Sequence, residues 1–255
     1  IADDRLRHAL ARISKILLVR VRSLGDSILT LPLLEALQGW RPDLQPDVLI
    51  EAPFAAVFSH NPRVHETLIL KSRSEPSHFG WTRTRALMEI RKRRYAAVLN
   101  LHGGTTSRLL TYAGGSRFRI GQESHRTSWA YNVRIPASSA VWGRNDLHTA
   151  EHQLTFLRWL GIPIPSPVRG RLYVDEGARQ RVQERLHDAG ISPHPFLLVQ
   201  PTATLYTKQW QEENFARLAD TLSERHGVPV IFTAGSREAQ VLLQVRKNAR
   251  RRHFY

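Results

Sequence analysis

Four polar loops, each placed between an apolar run and a stretch of helical periodicity, hold the side chains with which this 255-residue chain could do chemistry. The first is Ser23-Leu-Gly25-Asp26. A carboxylate just past a strand can take a proton from a hydroxyl, and Asp is equally a preferred N-cap for the helix that follows. The second is Gln200-Pro-Thr-Ala-Thr-Leu-Tyr-Thr-Lys208-Gln-Trp210. The hydroxyls of Thr202 and Thr204, free N–H groups and Lys208, leading into a helix N-terminus, suit a phosphate or diphosphate. A surface loop with a solvated lysine and Trp210 plugging the core fits the same residues. The third, Thr233-Ala-Gly235-Ser-Arg-Glu238, offers a carboxylate for ribose hydroxyls, or an acid favoured by the helix dipole. The fourth, Leu101-His-Gly-Gly-Thr-Thr-Ser107-Arg108, sets small groups and Arg108 beside a substrate, or is a glycine turn with a hydroxyl cap.

A fifth pattern, His148-Thr-Ala-Glu-His152, matches a zinc-protease motif. Five residues match easily in a chain with 12 histidines, no separate acidic ligand is indicated, and an exposed helix face is the expectation. No P-loop, G-x-G-x-x-G or G-x-S-x-G motif is present. The site is expected to need neither a metal nor a cofactor.

The elements that must position these loops alternate. Lys15-Ile-Leu-Leu-Val-Arg-Val21 reads as a strand, and Ile28, Leu29, Leu31, Leu33, Leu34 and Leu37 as the apolar face of a helix. Strands at 47–50, 67–70 and 96–101 follow, with helices near 54–58, 81–93 and 147–160. Such alternation implies a parallel sheet with helices on its faces. Three prolines in Ile162-Pro-Ile-Pro-Ser-Pro167 mark a domain boundary, so domains are expected at 1–162 and 168–255. Beyond it come strands at 171–174, 196–200 and 228–233, and helices near 176–189, 212–225 and from 236. Roughly ninety residues is short for a doubly wound domain, so the second is expected to be either unusually small or truncated.

Zero cysteine excludes a disulfide framework, a thiolate zinc site and a cysteine nucleophile. No stretch approaches 18 apolar residues and residues 1–14 lack the apolar core of a signal peptide, which leads to the expectation of a cytoplasmic protein. The net charge of +15 calls for an anionic partner. Residues 1–165 carry +10 of it, densest from Lys71 to Arg94; the rest matches the run Arg246, Lys247, Arg250, Arg251 and Arg252.

The whole segment Lys15 to Leu37, with Arg41-Pro-Asp43, resembles the opening of the family 9 glycosyltransferases, the lipopolysaccharide heptosyltransferases. Asn61-Pro-Arg-Val64, Val98-Leu-Asn-Leu-His-Gly103, Arg119-Ile-Gly121, Gln200-Pro-Thr-Ala203 and Lys208-Gln-Trp210 extend the resemblance, the last block most like the heptosyltransferase III branch. The resemblance implies an α/β fold of GT-B type, two Rossmann-like domains with parallel sheets, acceptor held by the first and nucleotide-sugar by the second. It implies inverting, metal-independent transfer of heptose from ADP-heptose to a hydroxyl of the phosphorylated lipopolysaccharide inner core, at the cytoplasmic face of the inner membrane. Asp26 aligns with the catalytic base, Arg22, Gly25, His102 and Arg108 fall on the acceptor side, and Thr202, Thr204, Lys208, Gly235 and Glu238 on the donor side. The sequence departs from the family in having Pro201-Thr-Ala203 for Pro-Gly-Ala, and a later Asp-[Ser/Thr]-Gly-x-x-His donor motif is absent. The competing reading is a noncatalytic basic module binding nucleic acid or anionic lipid through residues 71–94. Sparse aromatics there, Phe79 and Trp81, weigh against a nucleic-acid partner.

Overall fold

Successive residues of the first strand face opposite helix layers, and this alternation organises the larger part of the molecule. A computed structural model describes residues 2, 4–72, 80–124, 128–167, 169–191, 194–203, 205–235 and 238–255, with Tyr206 by its backbone alone. The chain forms two compact units, Ile1–Val174 and Asp175–Tyr255.

In the first unit the elements run α1 (Asp4–Ala11), β1 (Lys15–Val19), α2 (Leu24–Ile28), α3 (Leu31–Trp40), β2 (Gln45–Glu51), β3 (Glu66–Leu70), α4 (Arg83–Arg93), β4 (Ala97–Asn100), α5 (Thr105–Ala113), β5 (Phe118–Gln122), β6 (Val133–Ile135), α6 (Ser138–Trp142) and α7 (Thr149–Trp159). The helix expected near 54–58 is a 3-10 turn, Ala52–Val57. The sheet is parallel in the order β3-β2-β1-β4-β5-β6, so the order in which strands are added reverses between β1 and β4. Ile16 and Leu18 of β1 pack with Leu33, Leu34 and Leu37 of α3 and Leu154, Phe156 and Leu157 of α7. Leu17 and Val19 face the other way, onto Ala86 and Ile90 of α4 and Leu110 of α5. A strand covered on both faces has to be apolar at every position, and burying one such side chain contributes about 2 kcal/mol.

The single helix expected after Asp26 is two, α2 and α3, with Thr30 between them and Pro32 in the first turn of α3. Residues 171–174, expected as a strand of the second domain, form none and belong to the first unit. There the Tyr173 ring lies 5.6 Å under the Arg63 guanidinium, which also hydrogen-bonds its hydroxyl, and Arg63 pairs with Glu35 at 2.8 Å. At the amino-terminal half of the strands, buried Asp47 accepts from Tyr95 and lies 2.8 Å from His65 Nδ1. Asp47, His65 and Glu66 are close enough to share a cation, but Arg93 already bonds both carboxylates, 2.7 Å to Glu66 Oε1 and 3.3 Å to Asp47 Oδ2.

The second unit comprises α8 (Glu176–Asp188), β7 (Leu197–Val199), α9 (Glu212–His226), β8 (Val230–Phe232) and α10 (Ala239–Asn248). Its two strands are parallel, and Phe254 pairs with Ile231 as a further parallel bridge. Its core is Ala216, Ala219, Val230, Phe232 and Val245. Asp220 of α9 ties the basic run to this core, accepting from the N–H groups of Arg250 at 2.9 Å and Arg251 at 3.1 Å and lying 2.9 Å from His253 Nε2. Among the described residues no helix is long and apolar enough to cross a membrane.

Candidate functional site

Where a parallel sheet reverses its strand order, the loops leaving the two strands at the reversal part and open a crevice. In the first unit these are the loop after β1, residues 20–23, which runs into the first turn of α2, and the loop after β4, residues 101–104. Ser23 is the N-cap of α2, but its side chain makes no capping bond, and Asp26 lies inside the first turn rather than capping it. Asp26 instead forms an ion pair, Oδ2 standing 2.7 Å from Arg20 Nη2, and accepts at the same oxygen from Ser23 Oγ at 3.1 Å. Both donors converge on Oδ2. Oδ1 takes no hydrogen bond or ion pair among the described residues. Gly25 has no left-handed torsion, and an added Cβ there would meet nothing within 4 Å beyond its chain neighbours.

Arg20 is almost fully buried and bridges the two loops, since its other nitrogen donates to the Leu101 carbonyl. Burial pulls its pKa below the usual arginine value and the Asp26 charge opposes that shift. His102, on the second loop, is held neutral: burial, and then the charges of Arg20 and Arg22, push its pKa down to about 4. Asn100 shapes this loop, its Oδ1 accepting from the N–H groups of His102 at 3.1 Å and Gly103 at 3.0 Å. A Cβ on Gly104 would stand 2.8 Å from His102 Nε2, so only glycine permits the imidazole this position. Half-exposed Arg22 reaches to 3.9 Å from buried Glu51, which also takes Arg83 Nη2 at 3.1 Å.

The Asp26 backbone is fixed from a distant element. Gln153 Nε2, on α7, donates to the Asp26 carbonyl at 3.0 Å, and the Thr30 hydroxyl stands 2.8 Å from that carbonyl and 2.5 Å from Gln153 Oε1. The structure thus brings Arg22, Gly25, Asp26 and His102 together. Arg108 lies one turn into α5 and its side-chain hydrogen bond goes to Thr105 at 3.3 Å, not to Asp26. Sequence reasoning missed Arg20, Thr30, Glu51, Arg83, Asn100 and Gln153. Arg20 and Glu51 carry a signal, a charge that closes an apolar strand; Gln153 is a polar residue on an apolar helix face.

In the second unit the loops after β7 and β8 meet. Thr202 Oγ1 donates to Glu238 Oε2 at 2.8 Å, and the Gly235 N–H donates to the same oxygen at 2.8 Å. Gln200 links the loops, donating to Thr202 at 2.8 Å and accepting from Thr233 at 3.1 Å. Lys208 ends a 3-10 turn, Tyr206–Lys208, and is exposed. Trp210 does not plug the core; it is half-exposed, its ring centre 5.4 Å from that of Phe215 in an edge-to-face contact. Thr204 lies outside the described residues. The His148-to-His152 motif is a helix start: His148 Nδ1 accepts from the Ala150 N–H at 3.2 Å while Glu151 accepts from the His148 N–H at 2.9 Å and pairs with Arg144.

A parallel sheet with a carboxylate at its switch point, joined in sequence to a second parallel unit with a hydroxyl-rich loop, is the pattern of the GT-B glycosyltransferases. Residues 83–254 match the model of glycosyltransferase family 9 (heptosyltransferase), and the chain belongs to that family. It is 24% identical over 213 residues to lipopolysaccharide heptosyltransferase 3 of Escherichia coli, covering 83% of this chain and 60% of that one. It is 28% identical over 218 residues to lipopolysaccharide heptosyltransferase 1 of Pseudomonas aeruginosa, covering 83% and 58%. The chain thus spans about 60% of the length of these curated relatives. Among solved structures, a family 9 glycosyl transferase from Veillonella parvula superposes with a TM-score of 0.82 at 20% identity, covering 94% of this chain and 69% of that one. An E. coli heptosyltransferase solved with ADP gives 0.65 at 20% identity, covering 92% and 72%.

Proposed function

We propose that this chain carries the acceptor side and part of the donor side of an inverting ADP-heptose transferase acting on the phosphorylated inner core of lipopolysaccharide. The observation that carries the reading is the Asp26 carboxylate, fixed by Arg20 and Ser23 at the switch point with Oδ1 left for a hydroxyl. Asp26 takes the acceptor proton as that oxygen attacks the anomeric carbon of the donor sugar. The bond to the β-phosphate breaks on the opposite face, and ADP leaves. Arg22, with Arg83 behind it, supplies positive charge for the acceptor's phosphates, and neutral His102 and Arg108 offer hydrogen bonds to its hydroxyls.

On the donor side, Glu238 Oε1 accepts a ribose hydroxyl, the Thr202 and Thr204 loop holds the diphosphate, and Lys208 stabilises the charge that grows on departing ADP. A lysine and N–H donors neutralise a diphosphate without a metal ion. The family name, and relatives named as lipopolysaccharide heptosyltransferases, support the substrate class. The reading places the protein at the cytoplasmic face of the inner membrane and gives it no nucleic-acid partner. Calorimetric titration with ADP and ADP-heptose, against UDP- and GDP-sugars, tests the donor assignment. Preferential binding of the adenine nucleotides supports it, and equal or stronger binding of a uridine or guanosine sugar overturns it.

A further inference from the structure

Beside the base lies a buried charge that the mechanism leaves without a role. Glu51 closes β2 next to the end of β1, its N–H donating to the Val21 carbonyl at 3.0 Å, and its side chain is 2% exposed. A carboxylate out of water is costly unless cations and hydrogen bonds match it. This one is matched at one oxygen. Oε1 takes Arg83 Nη2 at 3.1 Å, from the first turn of α4, whereas Oε2 is buried without a hydrogen-bond partner among the described residues. The cation facing Oε2 is Arg22, on the loop that leads to Asp26, and it turns its Nε there at 3.9 Å, just outside hydrogen-bond reach.

An arginine offers an anion two forked edges, Nε with one Nη or the two Nη groups together. Here Nε is turned inward to Glu51, so the outward edge is the Nη pair of a side chain half in solvent, and no described residue accepts from either Nη. Arg20 and Asp26 neutralise one another, while two arginines on the one Glu51 carboxylate leave a positive charge in excess at this corner of the crevice. Charge without direction is equally the property of a solvated lysine. A fork held in one plane suits two oxygens of a single oxyanion.

We infer that Glu51 is a positioning residue for acceptor binding: it holds Arg22 by Nε, so that the two Nη groups present a fork to a phosphate of the acceptor. An oxyanion on the fork draws the Arg22 Nε–H about 1 Å closer to Oε2 and gives the buried oxygen the partner it lacks. Arg83, bonded to Oε1, fixes the carboxylate from the other side. The inference deepens the transferase reading and rests on it for the identity of the acceptor. The competing account is a carboxylate that only ties α4 to β2 through Arg83.

Steady-state transfer from ADP-heptose to a deacylated lipopolysaccharide core, either phosphorylated or treated with phosphatase, tests it, with calorimetry of the same two acceptors for binding alone. The wild type is expected to prefer the phosphorylated acceptor in KM. Glu51→Gln and Arg22→Lys are each expected to raise KM for that acceptor about tenfold and to erase the preference, with kcat within about twofold. Because both act on one fork, the double variant is expected to lose no more than either alone. An unchanged or lower KM in Glu51→Gln, which is what removing a negative charge near a bound anion does by itself, overturns the inference. So does a wild type indifferent to the phosphate, a multiplied loss in the double variant, or an equal loss on both acceptors that keeps the preference and marks a structural role. Circular dichroism checks folding; if Glu51→Gln is unfolded, Glu51→Asp, which keeps the charge and draws it back from Arg22, is read in its place by the same criteria. Transfer whose KM ignores Glu51 sinks the positioning alone. Phosphate-dependent acceptor binding that needs Glu51, without any heptose transfer, sinks the enzyme reading alone.

Discussion

The same strand–loop–helix device is built in both units, and the two versions are held by opposite means. In the first unit the groups behind Asp26 are buried: Arg20, Thr30, Glu51, Asn100 and Gln153 all lie within the fold. In the second, Gln200, Thr202, Thr233, Gly235 and Glu238 hold one another in a ring at the surface, and Lys208 stands in solvent. The sheets differ likewise. Ile16–Val19 of β1 are wholly buried, whereas Leu198 of β7 is 64% exposed and no residue of α8 is buried. Hydrogen bonds away from water rigidify what they join, and those in water compete with it. On the proposed reading, the base is set before substrate arrives, and the donor loops gain their order from the nucleotide.

The largest effect should come from the rigid side. Asp26→Ala removes the base and should cut heptose transfer about 10³-fold or more, read as kcat in a steady-state assay, and should also lower the melting temperature, because it leaves the buried Arg20 charge unpaired. Retained turnover would remove Asp26 from the chemistry. Next, Lys208→Ala should lower kcat/KM for ADP-heptose about 100-fold through the lost charge on the leaving group. An effect confined to stability would place this lysine outside the site.

Gln153→Leu sharpens the contrast, because it touches no substrate. It removes the donor that Gln153 gives the Asp26 carbonyl, which keeps the Thr30 hydroxyl as its other donor, and so costs about 1 kcal/mol of stability in the first unit. It should also lower kcat about tenfold without changing ADP affinity, since a base moved by a fraction of an ångström loses its geometry. A change in stability alone would make Gln153 a packing residue.

The smallest effect is one of acidity, and it separates the units. With His102 held at about 4, the unfolded chain binds its proton and the folded chain does not between about 6.5 and 4. Stability of the first unit should rise with pH through that window and fall as pH drops through it. In the second unit burial alone would raise the pKa of Asp220, but the Arg250 N–H, His253 and the Arg251 N–H outweigh it and leave it lowered. Its contribution should be present above about 3.9 and fade only below. Urea melts from pH 4 to 7 check this; His102→Gln should flatten the slope.

Much of the scaffold was legible because period speaks plainly in long apolar segments: β1, β2, β4, α4, α7 and α9 fall within a few residues of their expected places. The misses have physical reasons. Phe118-Arg-Ile-Gly-Gln122 and Val133-Arg-Ile135 are too short and polar to read as strands, and α5 hides behind two glycines. Asp26 and Lys208 were visible as loop residues with a chemistry of their own. Arg20, Thr30 and Gln153 were not: Asp26 is near Arg20 and Thr30 in sequence, but the contacts that tie the three across the fold, Arg20 to Leu101, Thr30 to Gln153 and Gln153 to Asp26, span 81, 123 and 127 residues, and only the folded chain makes them.

The division of labour between the units is tested most directly by calorimetric titration of ADP into the wild-type protein, Asp26→Ala and Lys208→Ala. Asp26→Ala should bind ADP as the wild type does, and Lys208→Ala should bind it at least about tenfold more weakly. ADP binding lost with Asp26, or untouched by loss of Lys208, would contradict the account.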